Sequence, residues 1–341
     1  MTQGFPFAVT PTGWYQVAWA DECSPGDVRP LCYFGMDLVL YRTEGGILRV
    51  FDAICPHLGA NLGYGGRVEQ ECIRCPYHGW LWNTDGKNTE IPYERRPNQA
   101  QALVKWPVVE VNGLVFVWYS AIGEEPTWCP PQIPELGSGD FSSPVALRHM
   151  HARVRLHPQF IWENQVDTAH QQWVHKSSQP TDMYEYSDEG PVFHTKARIL
   201  MGGDRGKTWA TPDGPYWAEI RTWTYGMGFA MARFVEQDES IHVQSVTPLE
   251  NGCCDLRTTV IVRNTDVDEN GEPNELARRR FSLQVKQTDR DILIWSHQRY
   301  QQRAPFTPTE VKPFNAFRRW SAQFYPEVAG ASTAAAGVSA Y

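Results

Sequence analysis

The sequence predicts an α+β protein: a small all-β domain, then a larger domain in which an antiparallel sheet grips a long helix. Three observations lead there. Residues 13–119 read as short apolar runs cut by turn residues such as Gly45-Gly46, Gly65-Gly66 and Asp85-Gly86. The stretch GEEPTWCPPQIPELGSGD at 123–140 can continue neither a helix nor a central strand. Beyond it, longer strand-like runs alternate with two helix candidates. A chain of 341 residues that is 42% hydrophobic can fill two such cores.

In order, the strand-like runs of the first domain are 13–20, 37–42, 48–53, 79–82 and 114–119. The Pro- and Gly-rich stretch marks the boundary, dividing the chain into a domain at 1–125 and one at 126–329. The runs of the second domain are 151–157, 193–200, 216–224, 241–248 and 255–263. One helix is expected from about Pro158 to His175. The other starts after Glu272-Pro273-Asn274, with Asn274 as N-cap, and runs to about Tyr300. The tail GASTAAAGVSAY at 330–341 is small, polar and low in complexity, and is expected to be disordered.

The charge balance, 31 Lys+Arg against 39 Asp+Glu, gives a net −8, opposite in sign to a nucleic-acid binder. The opening MTQGFPFAVTPTGW lacks the basic start and apolar run of a signal peptide, and no window approaches a membrane span. A cytoplasmic protein with no integral membrane segment is expected. The 8 cysteines are even in number, but without a secretory signal clustered cysteines point to metal ligation before disulfides. Cys55, Cys72 and Cys75 cluster with His57 and His78. The other cysteines read as free thiols, and adjacent Cys253 and Cys254 are poor partners for each other.

Cys55-Pro56-His57-Leu58-Gly59 and Cys75-Pro76-Tyr77-His78-Gly79-Trp80 each offer one thiolate and one imidazole. Four such ligands could hold tetrahedral zinc, and Cys72 adds a competing C-x-x-C with Cys75, so spacing alone does not choose. The Pro and Gly residues discriminate: they build open turns whose backbone N–H groups can point at bridging sulfides, which a zinc site lacks. Two Cys on one iron and two His on the other is the Rieske arrangement. CPHLG and CPYHGW within a Gly-rich β domain resemble the Rieske proteins. That resemblance implies a [2Fe-2S] cluster on Cys55, His57, Cys75 and His78, with Cys72 a bystander.

Residues 163–175, ENQVDTAHQQWVH, carry the spacing N-x2-D-x2-H-x4-H on Asn164, Asp167, His170 and His175. On a regular helix the two histidines point about 140° apart, so both reach one metal only if the helix ends or distorts between them. A lone histidine pair would be structural; Asn164 and Asp167 on the side facing His170 change that reading. The motif resembles the mononuclear iron site of Rieske-type non-haem iron oxygenases, and the resemblance runs from about Gly13 to Tyr325. Two His and one carboxylate leave a face of Fe(II) open for O2 as cosubstrate.

The resemblance implies a third ligand far along the chain, within TDRDILIW at 288–295. Asp289 and Asp291 lie about 200° apart on a helix, so only one can face the iron. The family's carboxylate stands just before the hydrophobic run, which maps to Asp291 and leaves Asp289 to a solvated face or an outer contact. Asp167 resembles the family's bridging carboxylate, accepting hydrogen bonds from its own His170 and from His78 of the partner subunit. Asn164 either lies near the iron without ligating it or hydrogen-bonds the helix.

No G-x-G-x-x-G follows a strand, so hydride cannot easily be taken from NADH directly. The resemblance implies a separate NADH-dependent flavin and iron–sulfur reductase and a head-to-tail homotrimer. It also implies a helix-grip (START-like) catalytic domain. Gly13-Trp14-Tyr15, EIPY at 90–93, NGLVFVW at 112–118, DILIW at 291–295 and FRRWSAQFY at 317–325 are similar to the 3-ketosteroid 9α-hydroxylase oxygenase branch. That closer match implies a monooxygenase that hydroxylates a small hydrophobic, steroid-like substrate. DILIWSHQRY also resembles the sterol 7-desaturases, so desaturation stays open, as does O-demethylation of another ring substrate. An electron carrier, or a lipid-binding module without mononuclear iron, would leave the second motif unexplained. Trp162, Trp173, Trp217, Trp223, Met227 and Phe229 are the candidates for an apolar pocket.

Overall fold

The computed structural model describes residues 5, 10–203, 206–209, 211, 213–235 and 239–326; the expectation for 330–341 lies outside them. The N-terminal part is all β. Strands β1 (Gly13–Trp19), β10 (Val108–Val111) and β11 (Leu114–Tyr119) form a three-stranded sheet in the order β1-β11-β10. A second sheet has the order β2-β3-β4-β9, from β2 (Val28–Tyr33), β3 (Met36–Arg42), β4 (Leu48–Asp52) and β9 (Lys105–Trp106). A third has the order β5-β6-β7-β8, from β5 (Arg67–Glu69), β6 (Cys72–Arg74), β7 (Leu81–Trp82) and β8 (Asn88–Glu90). The five runs legible in the sequence coincide with β1, β3, β4, β7 and β11. Most of the strands that sequence patterning misses lie at sheet edges, where one-sided pairing requires no apolar run.

The C-terminal part is one seven-stranded antiparallel sheet, ordered β12-β18-β17-β16-β15-β14-β13. Its strands are β12 (Leu147–Arg155), β13 (Asp182–Glu189), β14 (Val192–Met201), β15 (Tyr216–Tyr225), β16 (Phe229–Val235), β17 (Ser240–Pro248) and β18 (Cys253–Val262). Alternation along β17 divides its two faces. Ile241 and Val243 pack with Trp14, Phe116 and Trp118 of the three-stranded sheet, while Ser240, His242 and Gln244 face the opposite side. There lies α3 (Glu275–Trp295), so the sheet grips the helix as the patterning predicts.

The two parts are joined by close packing. Gly228 lies so near Trp14 that a Cβ built on it would sit 1.9 Å from the Trp14 carbonyl oxygen, and no residue but glycine fits. Beside it Arg257, buried, donates to the carbonyls of Gln16 (3.0 Å) and Val17 (3.2 Å), and Ser245 donates to the Gln16 side chain at 2.8 Å. These bonds satisfy polar groups that the interface removes from water.

Both helical expectations change, and one helix is additional. The segment 158–175 is not one helix but α1 (Pro158–Glu163) and α2 (His170–Trp173). Asp167 causes the break: its Oδ1 accepts the backbone N–H groups of Ala169 (3.1 Å) and His170 (3.2 Å), competing with helical hydrogen bonding. Helix α3 starts at the Asn274 cap, whose side chain accepts the Ala277 N–H, but ends at Trp295, short of Tyr300. A further helix, α4 (Val311–Ser321), is absent from the pattern-based reading; its Phe314, Phe317 and Trp320 enter the core around α1.

Candidate active site

The two Cys-Pro loops have the same backbone. In the first, Cys55 N–H donates to Ala60 O (2.8 Å) and Gly59 N–H to Cys55 O (3.0 Å); in the second, Cys75 N–H donates to Trp80 O (2.9 Å) and Gly79 N–H to Cys75 O (3.1 Å). Each closes at a glycine with positive φ, +77° at Gly59 and +72° at Gly79. This accounts for the repeated C-P-x-x-G: only glycine enters that conformation freely. The loops bring both thiols together in the interior and both imidazoles to the surface. Cys55 and Cys75 are 1% and 4% exposed, the rings of His57 and His78 lie 4.7 Å apart, and Trp80 stacks on His57 at 4.4 Å.

The Cys75 thiol is drawn down by a hydrogen bond from Cys55, assisted by the backbone N–H groups of Tyr77 and His78 and opposed by burial. The same contact, with burial, pushes Cys55 up. Sulfurs that already receive backbone N–H groups suit a thiolate-bound cluster. Cys72 lies on β6, outside both loops, and is half-buried. Arg74 braces the second loop, donating to Gly79 O at 2.6 Å and pairing with Glu69, whose carboxyl it holds down at about 2.

The second constellation begins with α1, all of whose residues are buried. Its last residue, Glu163, is clamped by Arg318 of α4 in two hydrogen bonds of 2.8 and 3.0 Å, which fixes the position of Asn164. Because α2 ends at Trp173, His175 lies outside it and turns back toward His170. The rings come within 5.2 Å of each other, and the ligand atoms of His170, His175 and Asp291 all lie within 4.8 Å of one another. Nε2 of His175 is 3.2 Å from Asp291 Oδ1. Asp289 points elsewhere, to His151 at 3.0 Å.

Both imidazoles are held in one orientation. His170 Nδ1 donates to the Asp167 carbonyl at 2.6 Å, leaving Nε2 toward the amides of Asn164 (3.1 Å) and Gln171 (3.2 Å). His175 Nδ1 donates to Gln287 Oε1 at 2.8 Å. Each ring thus presents Nε2 to the common point, as metal-binding histidines do when a second hydrogen bond fixes the tautomer. The expectation for Asp167 is corrected in one respect: its backbone carbonyl serves His170, and its carboxylate, 3.9 Å from Nδ1, accepts the backbone N–H groups of Ala169 and His170 instead. Gln287 and Gln171 are absent from the sequence-based reading. Gln287 stands four residues before Asp291 on α3, one turn away, and that spacing is the signal that could have found it.

The triad opens onto a cavity of about 380 Å³ between α3 and the sheet, walled by apolar residues including Ile199, Met201, Ile220, Phe234, Val260 and Phe281. None of the aromatic and Met candidates from the sequence lines it. Trp162, Met227 and Phe229 are core, Trp173 and Trp217 are exposed, and Trp223 stacks on His194 at 5.0 Å. Hydrophobicity alone does not tell which face of a strand meets the cavity.

Residues 13–109 match the Rieske [2Fe-2S] domain family, and residues 117–325 match the 3-ketosteroid 9α-hydroxylase C-terminal domain family. The chain is a Rieske-type non-haem iron oxygenase. Among relatives of this oxygenase is the cholesterol 7-desaturase of Caenorhabditis elegans, 30% identical over 94% of this chain and 78% of that one. That of Bombyx mori is 32% identical over 93% and 70%. The oxygenase component of 3-ketosteroid-9-alpha-monooxygenase of Rhodococcus rhodochrous is 29% identical over 93% and 84%. Dicamba monooxygenase bound to dicamba shares the fold, with TM-score 0.70 and 17% identity over 96% of this chain and 99% of that one. A Rieske-type oxygenase carries a [2Fe-2S] cluster and a mononuclear iron, and both donor sets described above fit these groups. It works with a reductase and a hydrophobic substrate. Among its described residues no helix is long and apolar enough to cross a membrane.

Proposed function

We propose that this oxygenase is the terminal component of a cytoplasmic multicomponent monooxygenase that hydroxylates a 3-ketosteroid-like substrate. The observation that carries this reading is the triad of His170, His175 and Asp291 at one end of a largely apolar cavity. A rigid hydrocarbon framework fits such walls, and a single carbon can be held at the triad while water is kept out. The match of residues 117–325 to the 3-ketosteroid 9α-hydroxylase C-terminal domain supports the substrate class. The cholesterol 7-desaturase relatives favour a second reading, desaturation of a sterol in the same cavity.

In this reading Cys55, His57, Cys75 and His78 hold the cluster, and His170, His175 and Asp291 hold the iron. When bound, the two groups supply oxygen activation at iron and electrons delivered singly from the cluster. Asn164 directs its amide toward the iron end of the cavity. Asp167, with 31% of its side chain exposed, is the bridge to His78 of the partner subunit in a head-to-tail homotrimer. The half-buried imidazoles of His57 and His78, with the exposed Leu58 (64%) and Tyr77 (63%) next to them in sequence, and the exposed Trp173 (73%) on α2, support a contact there. The NADH-dependent flavin and iron–sulfur reductase docks near the cluster loops.

The test is a single turnover of the chemically reduced protein with a 3-ketosteroid under isotopically heavy oxygen, read by mass spectrometry. A monohydroxylated product carrying label is expected. Loss of two hydrogens without label establishes the desaturase reading, and unchanged steroid from protein with verified cluster and iron overturns the substrate.

A further inference from the structure

Ser240, His242 and Gln244 form a polar stripe on the cavity face of β17, between Phe234 of β16 and Val260 and Val262 of β18; Asp266, Arg280 and Gln284 also line the cavity. His242 Nε2 is 3.1 Å from Ser240 Oγ, whereas its Nδ1 has no hydrogen-bond partner among the described residues, and the Gln244 amide has none either. Neither group is shut off from the cavity, so each is open to a hydrogen bond from whatever occupies it, water or ligand. Burial pushes the His242 imidazole down to about 4, so the ring is neutral at physiological pH. A neutral ring pairs with a neutral oxygen more readily than with a carboxylate. Since the Ser240 hydroxyl can either donate to Nε2 or accept from it, Nδ1 can present an N–H to a ketone or a lone pair to a hydroxyl.

The stripe is remote from the triad. Along α3 the cavity lining extends from Trp295 through Asp291 back to Ala277, and Asp291 and Ala277 are separated by about 21 Å of helical rise. Ser240 pairs with Val262 and His242 with Val260, and these two valines pack with Ala277 at the start of α3. Val246, further along the same face of β17, packs with Trp295 at the other end. Ser240 and His242 therefore lie toward the end away from Asp291, with Gln244 nearer to it.

We infer that Ser240 and His242 form a subsite that hydrogen-bonds one neutral oxygen, a ketone or a hydroxyl, at the end of the substrate remote from the reacting carbon. This rests on the steroid reading proposed above. It gives the apolar cavity a means to set which carbon meets the iron, since apolar walls alone allow a rigid framework to slide.

The test compares binding of androst-4-ene-3,17-dione, oxygenated at both ends, with that of its oxygen-free parent androstane, by equilibrium dialysis on cluster- and iron-loaded protein. His242→Phe is expected to weaken dione binding about tenfold and to leave androstane unchanged. His242→Gln, which keeps a polar group, is expected to recover most of the loss. Ser240→Ala, a smaller change on the same strand face, is expected to weaken the dione alone. Equal weakening of both probes, or of neither, overturns the subsite. Failure of the wild-type protein to bind either probe overturns the steroid reading, and the subsite with it.

Discussion

Nε2 of His175 stands 3.2 Å from Oδ1 of Asp291, while Asp289, on the same helix, faces outward to His151. The helix rotates the two carboxylates about 200° apart, so their roles cannot be exchanged. Asp291→Ala is expected to lose the iron beyond the cluster's two while keeping the visible absorption of the cluster. Asp289→Ala is expected to keep all the iron. Metal analysis alongside the visible spectrum checks this, and a full iron complement in the Asp291 variant would remove that residue from the site.

Gln287 holds Nδ1 of His175 and is itself held by Arg290 at 3.1 Å. With Leu at 287 the ring loses the partner that fixes its tautomer, and iron affinity is expected to fall about 10–100-fold. Gln287→Glu keeps an acceptor and is expected to stay close to wild type. Chelator competition, monitored as iron released per chain, measures the difference.

Gly228 is the closest approach between the two parts of the chain. Gly228→Ala puts a methyl group where the Trp14 carbonyl already lies, and overpacking of this kind is expected to cost about 3 kcal/mol. Because Trp14 and Phe229 share one core, both parts should lose stability together. Denaturant unfolding followed separately by cluster absorption and far-UV circular dichroism would show whether the two transitions shift in parallel.

The Glu69–Arg74 pair predicts a pH dependence. Glu69 is held at about 2, below the ordinary carboxylate value, by its hydrogen bonds to Arg74. The pair's contribution is therefore present above the unfolded carboxylate range and lost as pH falls from about 4.5 toward 2. The pair is part-buried at the surface, with the Glu69 side chain 34% exposed, and solvent screening keeps that contribution to about 1 kcal/mol. Wild type should exceed Glu69→Gln in stability at pH 6 and converge with it near pH 2. A gap that persists at the acid end would contradict this assignment.

Legibility in the sequence followed range. The cluster loops are local: C-P-x-x-G occurs twice, and the glycine that closes each turn lies four residues after its cysteine. Strands β1, β3, β4 and β11 were legible because they are central or strongly apolar, and α3 because Asn274 caps it. The helix expected across 158–175 failed where a single side chain, Asp167, took backbone donors that a helix would have used. That same interruption is what lets His170 and His175 converge.

By itself, the sequence determined the two-part α+β architecture, the Cys and His residues that meet in the cluster loops, and the histidine spacing of the second site. These are set by short-range patterns of turn, cap and period. Tertiary structure decided between Asp291 and Asp289, brought Gln287 onto His175, replaced the expected pocket aromatics with other residues, and turned Ser240, His242 and Gln244 into the cavity. Each of these depends on which face of a helix or strand meets a distant element, and packing across the whole fold selects that face.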